Sequence, residues 1–293
     1  MAKKNSKLMI VFAAIALAVY GCRQFTSNET ADTTNATTRS TESGHAGKAA
    51  QGTAPTGNSD QTAYECPRWV KTGTAEQMLN RMAYTVSYND ERLTPNWVGW
   101  VLTAEHTDGS FERKGHKFME DKEVPAPRAT YADIREGECG YQRGHICPAG
   151  DNKWSFQAQK EAFLMTNICP QNGDLNQRDW KYLEEACRDW AKRYGKVYIV
   201  AGPIFRSRRT KKVGENGVSV PDAFFKVVLR LGEGTSGTKA IGFIYENRKG
   251  HHEMAHYVRS VDEVEAATGL DFFYQLDDKT EEAVEQESNL DDW

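Results

Sequence analysis

The stretch from Gln177 to Tyr194, QRDWKYLEEACRDWAKRY, does most to constrain the fold. Trp180, Leu183, Ala186, Cys187, Trp190 and Ala191 recur at helical spacing, and Gly195 follows as a stop. Asn176 stands where an N-cap belongs. An amphipathic helix of this length needs an apolar surface to lie on, and the rest of the chain offers strands. Met82 to Tyr88, Trp97 to Ala104, Val197 to Ala201, Phe224 to Leu231 and Ala240 to Tyr245 are rich in β-branched and aromatic residues, with polar or Gly-rich turns between them. Tyr141 to Cys147 alternates and is stopped by Pro148. Many strands and few helices predict an α+β domain with a largely antiparallel central sheet flanked by helices.

Not all 293 residues can join that domain. Lys3, Lys4 and Lys7 precede an apolar run from Leu8 to Val19, and Gly21-Cys22 follows. The run is short for a bilayer span and reads as an export signal over residues 1–21. The small residue before Cys22 resembles a lipobox, so the expectation is a lipoprotein anchored through Cys22 in a bacterial cell envelope. Residues 22–63 are mostly Thr, Ser, Asn, Ala, Gly and Gln, which cannot bury enough surface to fold and predict a disordered tether. Residues 276–293 hold eight acids and one lysine and read as a solvated acidic tail. This leaves residues 64–275 as the folded domain. Tyr64 to Gln275 carries 30 Lys and Arg against 29 Asp and Glu, so the net charge of −4 does not argue against a polyanionic partner. Arg206 to Lys212, RSRRTKK, concentrates five cations; Arg208, Arg209, Lys211 and Lys212 are candidates for phosphate contact, beside the plainer reading of a solvated loop.

The chemistry concentrates in two blocks. In YQRGHICP, Arg143 and His145 are two apart and share one face of a strand. In the second block Glu184 and Arg188 are four apart and share a face of the helix, with Asn176 at its mouth. An imidazole, a carboxylate, an amide oxygen and several guanidiniums suit phosphodiester hydrolysis. That reaction needs a base for water, a cation on the phosphate oxygens and arginines to hold the phosphate. An unperturbed histidine titrates near neutrality, which suits the base.

These two blocks resemble the DNA/RNA non-specific endonuclease family, the ββα-metal nucleases that include endonuclease G. The family signature, Asp-Arg-Gly-His with a proline three residues on, is met by Arg143, Gly144, His145 and Pro148. The second block matches through Thr166, Asn167, Pro170, Gln171, Leu175, Asn176, Gln177, Trp180, Leu183, Glu184 and Arg188, and VDEVEAATGLDFF resembles the closing segment. The resemblance implies a ββα-metal nuclease fold and an endonuclease that cuts DNA and RNA to 5′-phosphorylated fragments. It implies His145 as general base, Asn176 as the ligand of Mg²⁺ (Mn²⁺ substituting), and Glu184 orienting the ion's water. Arg143 and Arg188 would contact phosphate, with Arg128 as a looser match and Asn167 as a supporting polar group. Gln142 departs from the pattern, standing where the family has Asp; glutamine can keep that acid's hydrogen bonds without its charge.

Two other readings stand beside this one. His252 to His256, HEMAH, fits the HExxH zinc-protease pattern, which works only on a helix; Gly250 before it and the strand-like alternation after it weigh against one. A nucleic-acid-binding lipoprotein with catalysis weakened by Gln142 is the other. Five cysteines follow Cys22, so disulfides are plausible after export, while the odd number leaves at least one thiol over.

Overall fold

The computed structural model describes residues 62–207 and 209–293. The expected signal segment, Cys22 and nearly all of the expected tether lie outside the described residues.

Nine strands carry the architecture: β1 (Gln77–Asn80), β2 (Thr85–Asn89), β3 (Thr94–Thr103), β4 (Gln142–His145), β5 (Ile168–Gln171), β6 (Lys196–Ile204), β7 (Ala223–Arg230), β8 (Lys239–Glu246) and β9 (Val258–Arg259). Seven of them form one sheet in the order β9-β8-β7-β6-β3-β2-β1. Every pairing in it is antiparallel, as the strand-rich sequence predicts. The interior strand β7, AFFKVVLR, is buried on both faces, which explains why its apolar residues run without alternation.

Alternate residues of the sheet feed two cores. On one face Val98, Trp100, Ile199, Phe224, Val228 and Phe243 pack against Trp180, Leu183, Cys187 and Trp190 of the long helix. On the other, Val200, Phe225, Val227 and Leu229 pack against Val261, Val264, Phe272 and Val284. The helix therefore lies on the sheet through the stripe read in its sequence.

The helical segment is in fact two helices, α1 (Gly173–Gln177) and α2 (Asp179–Tyr194), broken at Arg178 where φ is −123° and ψ −91°. Asn176 is thus no N-cap. Asn172 caps α1, its Oδ1 accepting from the Asp174 amide at 3.1 Å, and Asn176 sits inside the short first helix.

The acidic C-terminal segment corrects a second expectation. It is folded: α4 (Asp278–Glu285) follows α3 (Val261–Thr268), with Val284 buried in the second core. Trp293 is 8% exposed, its ring 4.9 Å from that of Trp190. Composition predicts a solvated tail because its acids outnumber its basic residues eight to one, but a few well-spaced apolar side chains are enough to dock it.

Candidate active site

β4 and β5 form a separate antiparallel pair that feeds through α1 into α2, with Gly144 opposite Cys169 and His145 opposite Ile168. Gly144 is required by close approach: a Cβ there would lie 2.1 Å from Oε1 of Gln171. Trp180, in the first turn of α2, donates from Nε1 to the carbonyl of His145 at 3.3 Å and ties helix to strand. The loop after His145 is clamped by Asn167, fully buried, whose Oδ1 accepts from the Cys147 amide at 2.9 Å and whose Nδ2 donates to the Cys147 and Ala162 carbonyls. Asn167 thus supports the loop that follows the imidazole.

His145 and Arg143 share a face, as their spacing predicts, and both meet Phe118: the imidazole centroid is 5.3 Å and the guanidinium carbon 4.8 Å from its ring. Phe163 stands edge-on to His145 at 5.1 Å. This aromatic sleeve and the charge of Arg113 hold the histidine far below its ordinary value, down to about 3, with burial the larger cause. The neutrality of the imidazole is therefore built in, and its value lies well below the near-neutral one of an unperturbed histidine. Its Nε2 is buried without a hydrogen-bond partner. Arg143 is tied down at one end, Nη1 donating to the Tyr131 and Ile134 carbonyls at 3.0 and 2.8 Å.

Gln142 has a specific task. Its Nε2 donates to both oxygens of Glu136, at 2.9 and 3.0 Å, which turns its carbonyl toward Asn176. That carbonyl accepts from Nδ2 of Asn176 at 2.9 Å. With the amide nitrogen held, the carbonyl oxygen of Asn176 is left for another partner. Glu136 thus reaches Asn176 through Gln142.

A second set of groups lies one turn up the helix. Arg188 donates from Nη1 to Oδ1 of Asp151 at 2.9 Å, and Trp100 donates to Oδ2 at 3.1 Å. Gly150 gives the guanidinium room, since a Cβ there would come within 2.9 Å of it. Under this pair lies Lys226, fully buried on β7, its Nζ 4.5 Å from the Trp180 ring centroid, 5.4 Å from that of Trp100, and without a hydrogen-bond partner. Burial raises Glu184 to about 7, with Asp151 pushing the same way while Lys226 and Arg188 oppose it. The site thus keeps its carboxyl near neutrality rather than at the usual carboxylate value.

The sequence singled out neither Asp151 nor Lys226. A lysine inside the apolar run of β7 was the available signal, because a charge in a doubly buried strand needs a partner.

The remaining candidates separate. Among the described residues Arg128 is joined by hydrogen bond to no other candidate; its charge acts on the buried Tyr88, and its Nε is buried and unpartnered. Arg208 lies outside the described residues. Lys211 sits over the ring of Tyr141 at 4.7 Å, beside the start of β4, while Arg209 and Lys212 are exposed. Arg206 is taken by Glu246 in a two-pronged pair at 2.8 and 2.6 Å. The HExxH residues are not on an α-helix: the segment runs into a short 3₁₀ turn, Met254–Tyr257, and the rings of His252 and His256 stack at 4.2 Å. Among the described residues, the convergent set of three metal-ligating side chains lies elsewhere. No disulfide joins Cys139, Cys147, Cys169 or Cys187; Cys147, two residues after His145, is a packed thiol that burial keeps protonated.

The family model for DNA/RNA non-specific endonucleases matches residues 67–279. The chain belongs to the DNA/RNA non-specific endonuclease family. It is 36% identical over 219 residues to the mitochondrial nuclease EXOG of Xenopus laevis, covering 70% of this chain and 60% of that protein. It is 34% identical over 222 residues to nuclease C1 of Cunninghamella echinulata var. echinulata, covering 71% and 87%. Its fold matches a chain in the crystal structure of the EndoG/EndoGI complex with a TM-score of 0.63 and 26% identity, over 70% of this chain and 89% of that one. This family member therefore has the ββα-metal nuclease fold that its two blocks predict. It spans about 60% of the length of the EXOG relative and most of the fungal one.

Proposed function

We propose that this chain is a metal-dependent endonuclease that hydrolyses phosphodiester bonds in DNA and RNA, leaving 5′-phosphorylated fragments. The observation that carries this reading is the pairing of two groups prepared for different tasks. One is a neutral imidazole with an unengaged Nε2, and the other an asparagine whose carbonyl is freed by a relay that holds its amide nitrogen.

His145 takes the proton of the attacking water. It has no protein donor at Nε2, so the proton it accepts has to come from a group that enters the site. Arg143 and Arg188 hold phosphate oxygens, each with one side of the guanidinium already fixed and the other nitrogen available. The residues fit a hard divalent cation, because amide and carboxylate oxygens suit Mg²⁺, or Mn²⁺ in its place. Bound there, such an ion would neutralise charge on the phosphate and the leaving oxygen, held by the Asn176 carbonyl and, through its hydration shell, by Glu184. Incubating the protein with plasmid DNA, total RNA and casein in Mg²⁺ tests the reading. Both nucleic acids should be cut and casein left intact; casein cleavage alone would restore the protease.

Glu184 must be ionised to act, and its carboxyl titrates at about 7. The rate should therefore rise with pH through that region. Lys226 favours the ionised form, so Lys226→Met should move this acid limb to higher pH in kcat–pH profiles of plasmid cleavage. A limb that stays in place would show that the buried ammonium does not act on Glu184.

The loop of Arg209, Lys211 and Lys212, with Arg208, is read as a phosphate track, since Lys211 already lies against Tyr141 at the edge of the site. Each phosphate neutralised adds about 0.9 to the slope of log affinity against log salt. Replacing Arg209, Lys211 and Lys212 by Gln should flatten that slope by roughly 2–3, measured by fluorescence anisotropy on a DNA duplex. An unchanged slope would make the loop an ordinary solvated surface. Export and lipidation at Cys22 remain part of the proposal on the sequence pattern; loss of labelled palmitate incorporation in Cys22→Ser is the check, and persistence of the label would refute it.

A further inference from the structure

The face of the sheet opposite the site carries three acids that the nuclease reading does not use. Asp262 and Glu265 on α3 and Glu285 on α4 each present a carboxylate oxygen, and the three oxygens lie within 4.8 Å of one another. Acids gathered at a surface are ordinary, but Glu285 is not at the surface. It is 7% exposed, and its Oε1 is buried with no hydrogen-bond partner. Glu265 is half-buried and spends one oxygen on the Phe272 amide at 2.7 Å. Asp271 and Glu281 add negative charge to the same region. Arg68, whose charge acts on Glu281, is engaged by Asp271 at 2.7 Å.

A buried carboxylate oxygen without a donor is costly, and more so beside two other carboxyls. The group therefore calls for compensating positive charge. The donors are all hard oxygens, with no imidazole or thiolate, which disfavours zinc and copper. Ca²⁺ binds oxygens at 2.3–2.6 Å, so ligands on opposite sides of the ion are about 4.8 Å apart. It also accepts irregular sets completed by water. Mg²⁺ demands a tighter and more regular octahedron, which three carboxyls graded from exposed to buried do not supply.

We propose that Asp262, Glu265 and Glu285 form a Ca²⁺ site that clips α4 onto α3. The ion binds between the two helices, with water completing its shell on the exposed side of Asp262. Its effect is structural. It holds down the C-terminal segment, whose last residue, Trp293, packs on Trp190 of the helix that carries Glu184 and Arg188.

The test uses the full chain with Asn176→Ala, so that calcium entering the nuclease site does not confuse the count, and it does not depend on nuclease activity. After chelation and dialysis, CaCl₂ should bind with a stoichiometry of one by calorimetry and raise the melting temperature by several degrees. Adding Glu285→Gln should abolish both effects while melting no lower than its parent in calcium-free buffer, since the buried repulsion is gone. Should that variant fail to fold, Asp262→Asn, at an exposed position, should still weaken calcium binding at least about tenfold. Absence of calcium binding in the Asn176→Ala chain would overturn the proposal. So would undiminished binding in Glu285→Gln or Asp262→Asn, or stabilisation by MgCl₂ and not by CaCl₂.

Discussion

His145→Ala is expected to lower plasmid cleavage by about 10²–10⁴, the usual cost of removing a general base, while duplex binding stays within a few-fold of the parent. Binding should persist because the arginines and Asn176 are held by contacts that do not involve the imidazole. Arg143 is anchored on two carbonyls, Arg188 on Asp151, and Asn176 on Gln142. The pH dependence adds a sharper criterion. A histidine held at about 3 by burial and Arg113 is neutral across the working range, so it contributes no limb near 6.5. In ¹⁵N spectra its ring should show no protonation between pH 8 and pH 5. Cleavage by His145→Ala at near the parental rate would make this strand structural and end the proposed mechanism. An imidazole that titrates near 6.5 would show that the Phe118–Phe163 sleeve opens in solution.

Chelation is expected to have the largest effect of all. The proposed ligand is a neutral amide oxygen with a carboxyl acting through water, so the ion is loosely held. EDTA should abolish cleavage, Mg²⁺ or Mn²⁺ should restore it, and Zn²⁺ alone should not. Asn176→Ala should remain inactive at any practical Mg²⁺ concentration. Gln142→Leu is the more informative variant. It leaves Asn176 in place but releases its amide nitrogen, so the Mg²⁺ needed for half-maximal rate should rise about 10–100-fold, as for other lost supports of metal ligands. Full activity in EDTA would remove Asn176 from the mechanism, and a Gln142→Leu enzyme with parental Mg²⁺ dependence would sink the relay.

Read against the family pattern, glutamine loses a negative charge beside the histidine. In the structure the charge reappears on Glu136, six residues earlier, and reaches Asn176 through the glutamine amide. A side chain that both donates and accepts can transmit an orientation that a carboxylate would impose directly.

What the sequence determined by itself was local in origin. A period of two placed Arg143 and His145 on one face, a period of 3.6 placed Trp180, Leu183, Cys187 and Trp190 on one side of a helix, and the β-branched and aromatic run of β7 predicted a strand. Such patterns follow from backbone geometry, and neighbouring residues suffice to express them. The tertiary structure decided everything that depends on dielectric and on distant charge. His145 is neutral because Phe118, Phe163 and Arg113 come from other segments to surround it. Glu184 titrates near neutrality because burial outweighs Lys226 and Arg188. The acidic C-terminus packs because Val284 and Trp293 find two different cores. Composition counts charges one by one, whereas burial and pairing decide what each charge costs, and those are set by residues far apart in the chain.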